Sequence, residues 1–424
     1  MKIMVVLPFA LWAARTRASN LWPRIAREAE VHIVALRAQL PRGQEPCLPE
    51  NVASLELIEF SRMRAAARAA IAIPTGAPMR TSWAADRRAR RAVGAAYERI
   101  RPDVVYVERM RAAPLLDSIP GERIVLDPTD SLPMFYEQVR GQREAPLTQR
   151  ILSVIETQRL IAFERARYPS FARIVACTSR DAEWMRRSAP TARVEIVPIG
   201  VNLDAFPYRP LANGGACRVV MTGNFGYWPN REAAGWLLQQ APAIKERSGA
   251  EVVFAGANPP PRLRQAHDGD GVVVTGFVPD LAAHYHNASV AVAPLRFAAG
   301  GQSKVIEAMA CGRPVVVTPE CAAGFGSDGR ALLVEASRQE FVDAVADLLT
   351  DRRLAAGLGE LGRAYVQEFH DWDNIAARLL RLLAEVAGQS IEEGPRGSDG
   401  HEAEPPAEYA EAVSDWEEAR RLVA

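Results

Sequence analysis

Lysine is almost missing from this chain. Of 51 basic residues only three are lysines, Lys2, Lys245 and Lys304, so each stands against a strong bias toward arginine. Cysteine is sparse too. Cys47, Cys177, Cys217, Cys311 and Cys321 are scattered, with no Cys-x-x-Cys pair. That argues against a disulfide framework or a cysteine zinc site and for a reducing, cytoplasmic compartment. No apolar run reaches the roughly 18 residues a membrane span needs. The first short run ends at Pro8, too early for a signal h-region and well suited to a first buried strand. Net charge is also lacking. The 51 acids balance the 51 bases, so bulk electrostatics points to no nucleic-acid partner. What remains is a globular composition, 48% hydrophobic and 24% charged over 424 residues, long enough for two or three domains.

The stretch from Pro294 to Val317 organises the rest. Val290 to Ala293 leads in as a buried strand, and Gly300 and Gly301 allow a tight turn. A helix is expected from about Ser303 to Gly312, whose glycine suits a left-handed stop. A strand, a glycine turn and a helix start together form an anion site, because free N–H groups and the helix dipole point into the turn. Lys304 adds a compact positive charge there, and Glu307, three residues on, faces the same side. The cation and amides suit a diphosphate, and the carboxylate suits the two hydroxyls of a ribose. The plain alternative is a surface Lys–Glu pair on a helix end.

Toward the N-terminus, apolar runs at 3–7, 31–36, 55–60, 104–107, 124–126 and 174–176 alternate with helical patterns, which implies a parallel sheet covered on both faces. The loop after the first strand, Pro8 to Ala18, carries Arg15 and Arg17 and is followed by Asn20. Ligands of such folds bind past the carboxyl ends of strands, so these residues are candidate acceptor or phosphate contacts; a solvated loop is the other reading. Residues 62 to 101 hold ten arginines against Asp86 and Glu98. They read as a basic amphipathic helix pair that either lies peripherally on anionic lipid or grips an anionic acceptor, the plain alternative being an ordinary arginine-rich surface. The strand ending Leu126-Asp127-Pro-Thr-Asp130-Ser131 runs into two carboxylates. Asp130 is either a base that orients a substrate hydroxyl or a helix cap. Farther on, Ser179 is expected to cap a helix carrying Glu183.

Pro207, Pro210, Asn213, Gly214 and Gly215 mark a linker. The second half begins again at Cys217, with a strand, the segment Gly223-Asn224-Phe-Gly-Tyr-Trp-Pro-Asn230 as a loop, and a helix from Arg231. Gly256, Gly276 and Gly300–Gly301 each follow a strand, which suggests one ligand along the crest of the sheet.

The second half resembles the nucleotide-sugar-binding domain of the retaining family 4 glycosyltransferases. The resemblance is carried by Val274-Thr-Gly276-Phe-Val-Pro279-Asp and by Gly301-Gln-Ser-Lys304-Val-Ile-Glu307-Ala-Met-Ala-Cys-Gly312-Arg-Pro314-Val. The segment Gly223 to Asn230, with Arg296 to Lys304, is similar to sugar transferases of bacterial exopolysaccharide clusters. The resemblance covers about residues 1 to 388, by motif in the second half and by architecture alone in the first.

It implies two Rossmann-like, doubly wound α/β domains facing across a cleft (the GT-B architecture). The expected division is an acceptor domain over 1–205, a nucleotide-sugar domain over 206–370, a helix over 371–388 crossing back to the first domain, and an acidic, disordered tail over 389–424. It further implies that Glu307 binds ribose and that Lys304, the Gly300–Gly301 amides and the adjoining Gln302 and Ser303 hold the diphosphate. Phe277 and Val278 would lie beside the base, and Gly223, Asn224, Asn230 and Arg296 would complete the donor site. The family's first-domain histidine has no clear match, Asp130 standing nearest to it in chain order, with Arg15, Arg17, Asn20 and Asp127 on the acceptor side. Two positions depart from the pattern: Ala299 replaces a common glutamate, and the loop after Thr222 lacks the common Arg and Lys. The implied activity is hexosyl transfer from a UDP- or GDP-sugar to a hydroxyl of a glycan, lipid-linked sugar or small natural product. It would proceed with retention and with no cofactor or metal. A nucleotide-sugar epimerase and a non-catalytic binding subunit are the rival classes.

Overall fold

The computed structural model describes residues 1–9, 16–37, 48–143, 145–211, 217–269, 271–325 and 334–389. The tail expected over 389–424 and the candidate contact Arg15 therefore fall outside the described residues, apart from Gln389. Two compact units divide the chain. One takes Met1–Gln142, Leu147–Ile199 and the last helix from Trp372; the other takes Gly200–Asp371.

The first unit is built on β1 (Lys2–Leu7), β2 (Glu30–Leu36), β3 (Ser54–Ile58), β4 (Val104–Glu108), β5 (Ile124–Thr129), β6 (Arg173–Ala176) and β7 (Val194–Ile196). All pair in parallel, in the order β3-β2-β1-β4-β5-β6-β7. A parallel sheet is covered on both faces, so its strands are apolar throughout rather than alternating; Ile3 to Leu7 are all at most 1% exposed. The helices are α1 (Arg17–Ile25), α2 (Arg62–Thr75), α3 (Met79–Ala84), α4 (Arg87–Ile100), α5 (Leu132–Val139), α6 (Leu147–Arg167) and α7 (Ser179–Ser188).

The basic stretch is thus three helices, not two, because Gly76 takes a left-handed φ of 76° and ends the first of them. Thr178, rather than Ser179, caps α7 by accepting from the Asp181 N–H. The last helix, Trp372–Ala387, turns Ile375, Leu379 and Leu383 into the core made by α1 and β1, β2 and β4. Each such side chain contributes about 1.5–3 kcal/mol by burial.

The second unit is built on β8 (Arg218–Thr222), β9 (Glu251–Ala255), β10 (Val272–Gly276), β11 (Val290–Ala293), β12 (Val315–Val317) and β13 (Val334–Glu335). They also pair in parallel, in the order β10-β9-β8-β11-β12-β13. Its helices are α8 (Trp228–Ser248), α9 (Pro261–Gln265), α10 (Leu281–His286), α11 (Ser303–Ala310) and α12 (Pro319–Ala322), followed by Phe341–Thr350 and Arg352–Phe369. This unit begins at Gly200, earlier than the expected boundary at 205–206. The reason is that the following segment is bonded to it. Val201 N–H donates to His370 O at 2.7 Å, His286 Nε2 donates to Pro207 O at 2.7 Å, and buried Arg313 donates to Arg209 O.

In each sheet the chain order reverses once, between β1 and β4 in the first and between β8 and β11 in the second. Loops leave the two central strands in opposite directions there, opening a crevice at their carboxyl ends where ligands of such folds bind.

Candidate functional site

At the reversal in the second sheet, two helix N-termini come side by side. The segment after β8 enters α8 at Trp228, three residues before the expected start at Arg231. Proline in the first turn loses no helical hydrogen bond, so Pro229 favours this early start. Asn230 therefore sits in the helix, not in the loop. It is 7% exposed. Its Nδ2 donates to Asn224 O at 3.1 Å, closing the turn, and its Oδ1 accepts from Lys304 Nζ at 2.6 Å.

The glycines of this crest are required by contact. Gly223 and Gly256 hold φ of 153° and 147°, and a Cβ on Gly256 would lie 1.9 Å from Gly223 O. Only bare backbone fits between the ends of β8 and β9.

On the β11 side, Gly300 turns at φ 66°, Gln302 Nε2 donates to Ala299 O at 3.3 Å and to Gly300 O at 3.4 Å, and Ser303 opens α11. Lys304 and Glu307 are both half-buried on its first turns. Burial pushes the Lys304 ammonium down to about 8, against the opposing pull of Glu307. A bound anion would favour the charged form and raise this value again. Beneath it, Tyr285 of α10, 1% exposed, places its hydroxyl 2.6 Å from Thr222 Oγ1, 3.0 Å from Lys304 O and 3.4 Å from Glu307 Oε2. Burial raises this phenol well above its ordinary range, so it stays protonated and donates. Neither Tyr285 nor Thr222 was marked by any motif. The three elements that meet here are the ends of β8, α10 and α11.

Of the other donor-side residues, Asn224 is exposed beside Asn230, and Arg296 lies in the β11–α11 loop. Phe277 and Val278 follow β10, two strands from β8, where Phe277 is 78% exposed.

The acceptor-side residues of the first unit part company. Arg17 and Asp127 are 8% and 0% exposed and pair with each other at 2.9 Å, so neither presents its charge to a ligand. Arg17 also donates to Val197 O and Pro198 O. Asn20 Nδ2 donates to Thr16 O inside the first turn of α1. Asp130 is not a cap, since Ser131 caps α5 by accepting from Met134 N–H. Asp130 remains partly open and lies 3.6 Å from Arg109 Nη1. Burial raises its carboxyl above the ordinary range, against the pull of Arg109 and Arg80.

The family model described as glycosyl transferases group 1 matches residues 216–351, which hold the whole crest just described. The GDP-mannose-dependent alpha-(1-6)-phosphatidylinositol monomannoside mannosyltransferase of Mycobacterium tuberculosis (strain CDC 1551 / Oshkosh) is 31% identical over 223 residues, 46% of this chain and 56% of that protein. The enzyme of the same description from Mycolicibacterium smegmatis is 29% identical over 229 residues, 46% and 57% of the two chains. The chain thus spans somewhat more than half the length of these curated relatives. Among solved structures, sucrose-phosphate synthase from Thermosynechococcus elongatus superposes with a TM-score of 0.64 at 15% identity, covering 91% of this chain and 99% of that one. Anabaena Alr3699/HepE in complex with UDP gives 0.60 at 14% identity, covering 91% and 100%. The glycosyltransferase WaaG of lipopolysaccharide biosynthesis gives 0.59 at 15% identity, covering 90% and 99%. The chain has the GT-B fold, and its residues 216–351 are similar to the group 1 glycosyl transferases.

Proposed function

We propose that this protein transfers a hexosyl group from a nucleoside diphosphate sugar, UDP- or GDP-linked, to an acceptor hydroxyl with retention of configuration. The observation that carries the reading is the meeting of Lys304 and Asn230 at two helix N-termini, with Glu307 one turn along α11. In this reading the bond from the sugar C1 to the diphosphate oxygen breaks while the acceptor oxygen bonds C1 from the same face. The acceptor proton passes to the departing diphosphate. Lys304 and the N–H groups of the Gly300–Ser303 turn meet the charge that develops on the leaving group, and this is electrostatic stabilisation that needs no metal. Glu307, steadied by Tyr285, accepts from the ribose hydroxyls. Exposed Phe277 offers a face to the base. The matching mannosyltransferases are GDP-mannose-dependent by description, and GDP-mannose is therefore the first donor to try, with UDP-glucose second.

Calorimetric titration with UDP, GDP and dTDP tests the donor site, and product analysis with GDP-mannose follows. One nucleotide is expected to bind saturably. No binding of any of the three sinks the reading. Binding without transfer to any acceptor favours a non-catalytic subunit, and an altered sugar nucleotide without acceptor favours an epimerase.

We further propose that α2 and α6 form a peripheral contact with anionic lipid at the cytoplasmic face of a membrane. Among the described residues, no helix is long and apolar enough to cross a membrane. Instead α6 carries an exposed stripe of Leu147, Ile151 and Val154, at 66%, 50% and 62% exposure. Neighbouring α2 buries only Ala65 and Ala72, leaving Met63 and Ile71 open beside Arg62 and Arg64. Arg159 of α6 donates to Ile73 O, joining the two helices. A helix of this kind lies in the interface with its basic residues on anionic headgroups. Co-sedimentation with vesicles containing phosphatidylglycerol is expected, and Ile151→Ser with Val154→Ser should weaken it by at least about tenfold. Equal sedimentation of wild type and variant would remove this face from the account.

A further inference from the structure

The first unit keeps a group of charges that the donor site does not use. They gather past the carboxyl ends of β4 and β5, beside the β1–β4 pair where the first sheet reverses. Arg109 follows β4 directly, with a φ of 72° and ψ of 127°, a conformation that a side-chain-bearing residue rarely adopts. Its N–H is held by Asp127 O at 2.6 Å. Thr129, at the end of β5, is also left-handed, with φ 74°, and its buried Oγ1 has no hydrogen-bond partner among the described residues. Strain of this sort on two adjacent strand ends marks a place where side-chain direction has been set against backbone preference.

The side chains so directed are cationic and poorly matched. Arg109 reaches Asp130 only at 3.6 Å and Glu108 only at 3.9 Å, both beyond hydrogen-bond distance. Arg80 of α3 donates through Nε and Nη2 to a neutral acceptor, the Tyr136 hydroxyl, at 3.2 and 3.0 Å. Arg111 shows no carboxylate within ion-pair distance of its guanidinium among the described residues. It lies against the Trp83 ring at 5.7 Å, with its Nε buried and unpaired. Burial, then repulsion from Arg109 and Arg80, lowers the Arg111 guanidinium to about 10. Burial also raises Glu108 to about 7, which takes away part of the balancing negative charge. No guanidinium of Arg80, Arg109 or Arg111 is thus hydrogen-bonded to a carboxylate among the described residues. Arginine suits this role, because its planar donors match phosphate oxygens in pairs.

We propose that Arg80, Arg109 and Arg111 bind a phosphoryl group carried by the acceptor. That the bound molecule is the acceptor rests on the glycosyltransferase reading, whereas the anion site itself does not. Asp130 then lies beside the phosphoryl group, where it can accept from a neighbouring acceptor hydroxyl. The phosphoryl group has two sources with the same chemistry: a soluble sugar monoester or the diester of a lipid headgroup.

The test uses the full chain and calorimetric titration with glycerol 3-phosphate and with glycerophosphoinositol, in parallel with nucleotide titration. Wild type and Lys304→Ala should bind at least one of the two phosphates equally well. Arg111→Gln and Arg80→Gln should each bind it at least about tenfold more weakly while binding nucleotide as wild type does. Preference for glycerol 3-phosphate indicates a soluble monoester acceptor, and preference for glycerophosphoinositol a lipid headgroup. Two results would overturn the proposal. In one, wild type binds neither phosphate. In the other, phosphate binding is lost in Lys304→Ala and kept in Arg111→Gln, which places the anion in the nucleotide site. Phosphate binding as expected with no nucleotide bound would instead sink the donor reading and leave the anion site standing.

Discussion

Replacing Lys304 with alanine is expected to lower kcat/KM by about two to three orders of magnitude, the scale seen when one donor to a developing oxyanion is removed. The affinity for nucleoside diphosphate should fall by about tenfold to a hundredfold, as for the loss of one charge-assisted hydrogen bond. Lysine is scarce in this chain, and this one is closely placed. Nζ donates to Asn230 Oδ1 at 2.6 Å, so one helix N-terminus aims the ammonium carried by the other. Lys304→Arg restores the charge but brings a wider, planar group to a spot shaped for a point charge, and it should recover binding only in part. The pH dependence has a definite sign. In the free protein the ammonium loses its proton at about 8, and a bound diphosphate raises that value by attraction. Affinity should therefore be level below about pH 7 and fall as pH rises through 8. Binding above pH 8 should take up close to one proton. Comparison of binding heats in buffers of different ionisation enthalpy measures this uptake, and Lys304→Arg should abolish it. An unchanged nucleotide affinity in Lys304→Ala would remove Lys304 from the site.

Much of this centre could be read in advance, because its chemistry is local in the chain. A strand, two glycines, a lysine and a glutamate stand within 18 residues, from Val290 to Glu307, and backbone geometry alone places their groups at a strand end. The valine-rich runs were equally plain, since a strand covered on both faces has no polar side to disguise it. What was not legible depends on distance in sequence. Asn230 is separated from Lys304 by 74 positions, and Tyr285 from Glu307 by 22; no spacing rule joins them. The Trp-Pro pair at 228–229 did carry a signal for the early start of α8, by the preference of proline for a first turn. In the first unit the acidic and basic residues at strand ends were visible as types but not as partners. Asp127 looked alike in promise to Asp130, Arg109 carried no sequence signal at all, and only packing separated the closed Arg17–Asp127 pair from the open Arg109–Asp130 one.

That separation leads to the second large effect. Asp127→Ala is expected to destabilise the first unit by about 3–5 kcal/mol, the cost of breaking a buried ion pair and leaving its partner charged and unpaired. Asp127 is fully buried. One oxygen accepts from Arg17 Nε at 2.9 Å and from the Tyr106 hydroxyl, and the other accepts from Thr129 N–H at 2.7 Å. Arg17 in turn donates to Pro198 O at 2.7 Å and Val197 O at 3.0 Å. One carboxylate thus joins the ends of β4 and β5 to the start of α1 and to the segment after β7. Asp127→Asn keeps the shape and the Thr129 contact but leaves the guanidinium without its counter-charge, so it should lose most of the same stability. Arg17→Met with Asp127→Leu should lose less than the two single changes together, because the double variant leaves no buried charge behind. Denaturant unfolding of the four proteins measures this coupling. Nucleotide affinity is a separate readout, and it should persist in any Asp127 variant that folds, since Lys304 and Glu307 lie in the other unit. If Asp127→Ala instead unfolds like the wild type yet loses all transfer activity, the carboxylate acts on substrate. The buried pair would then have to open during the reaction.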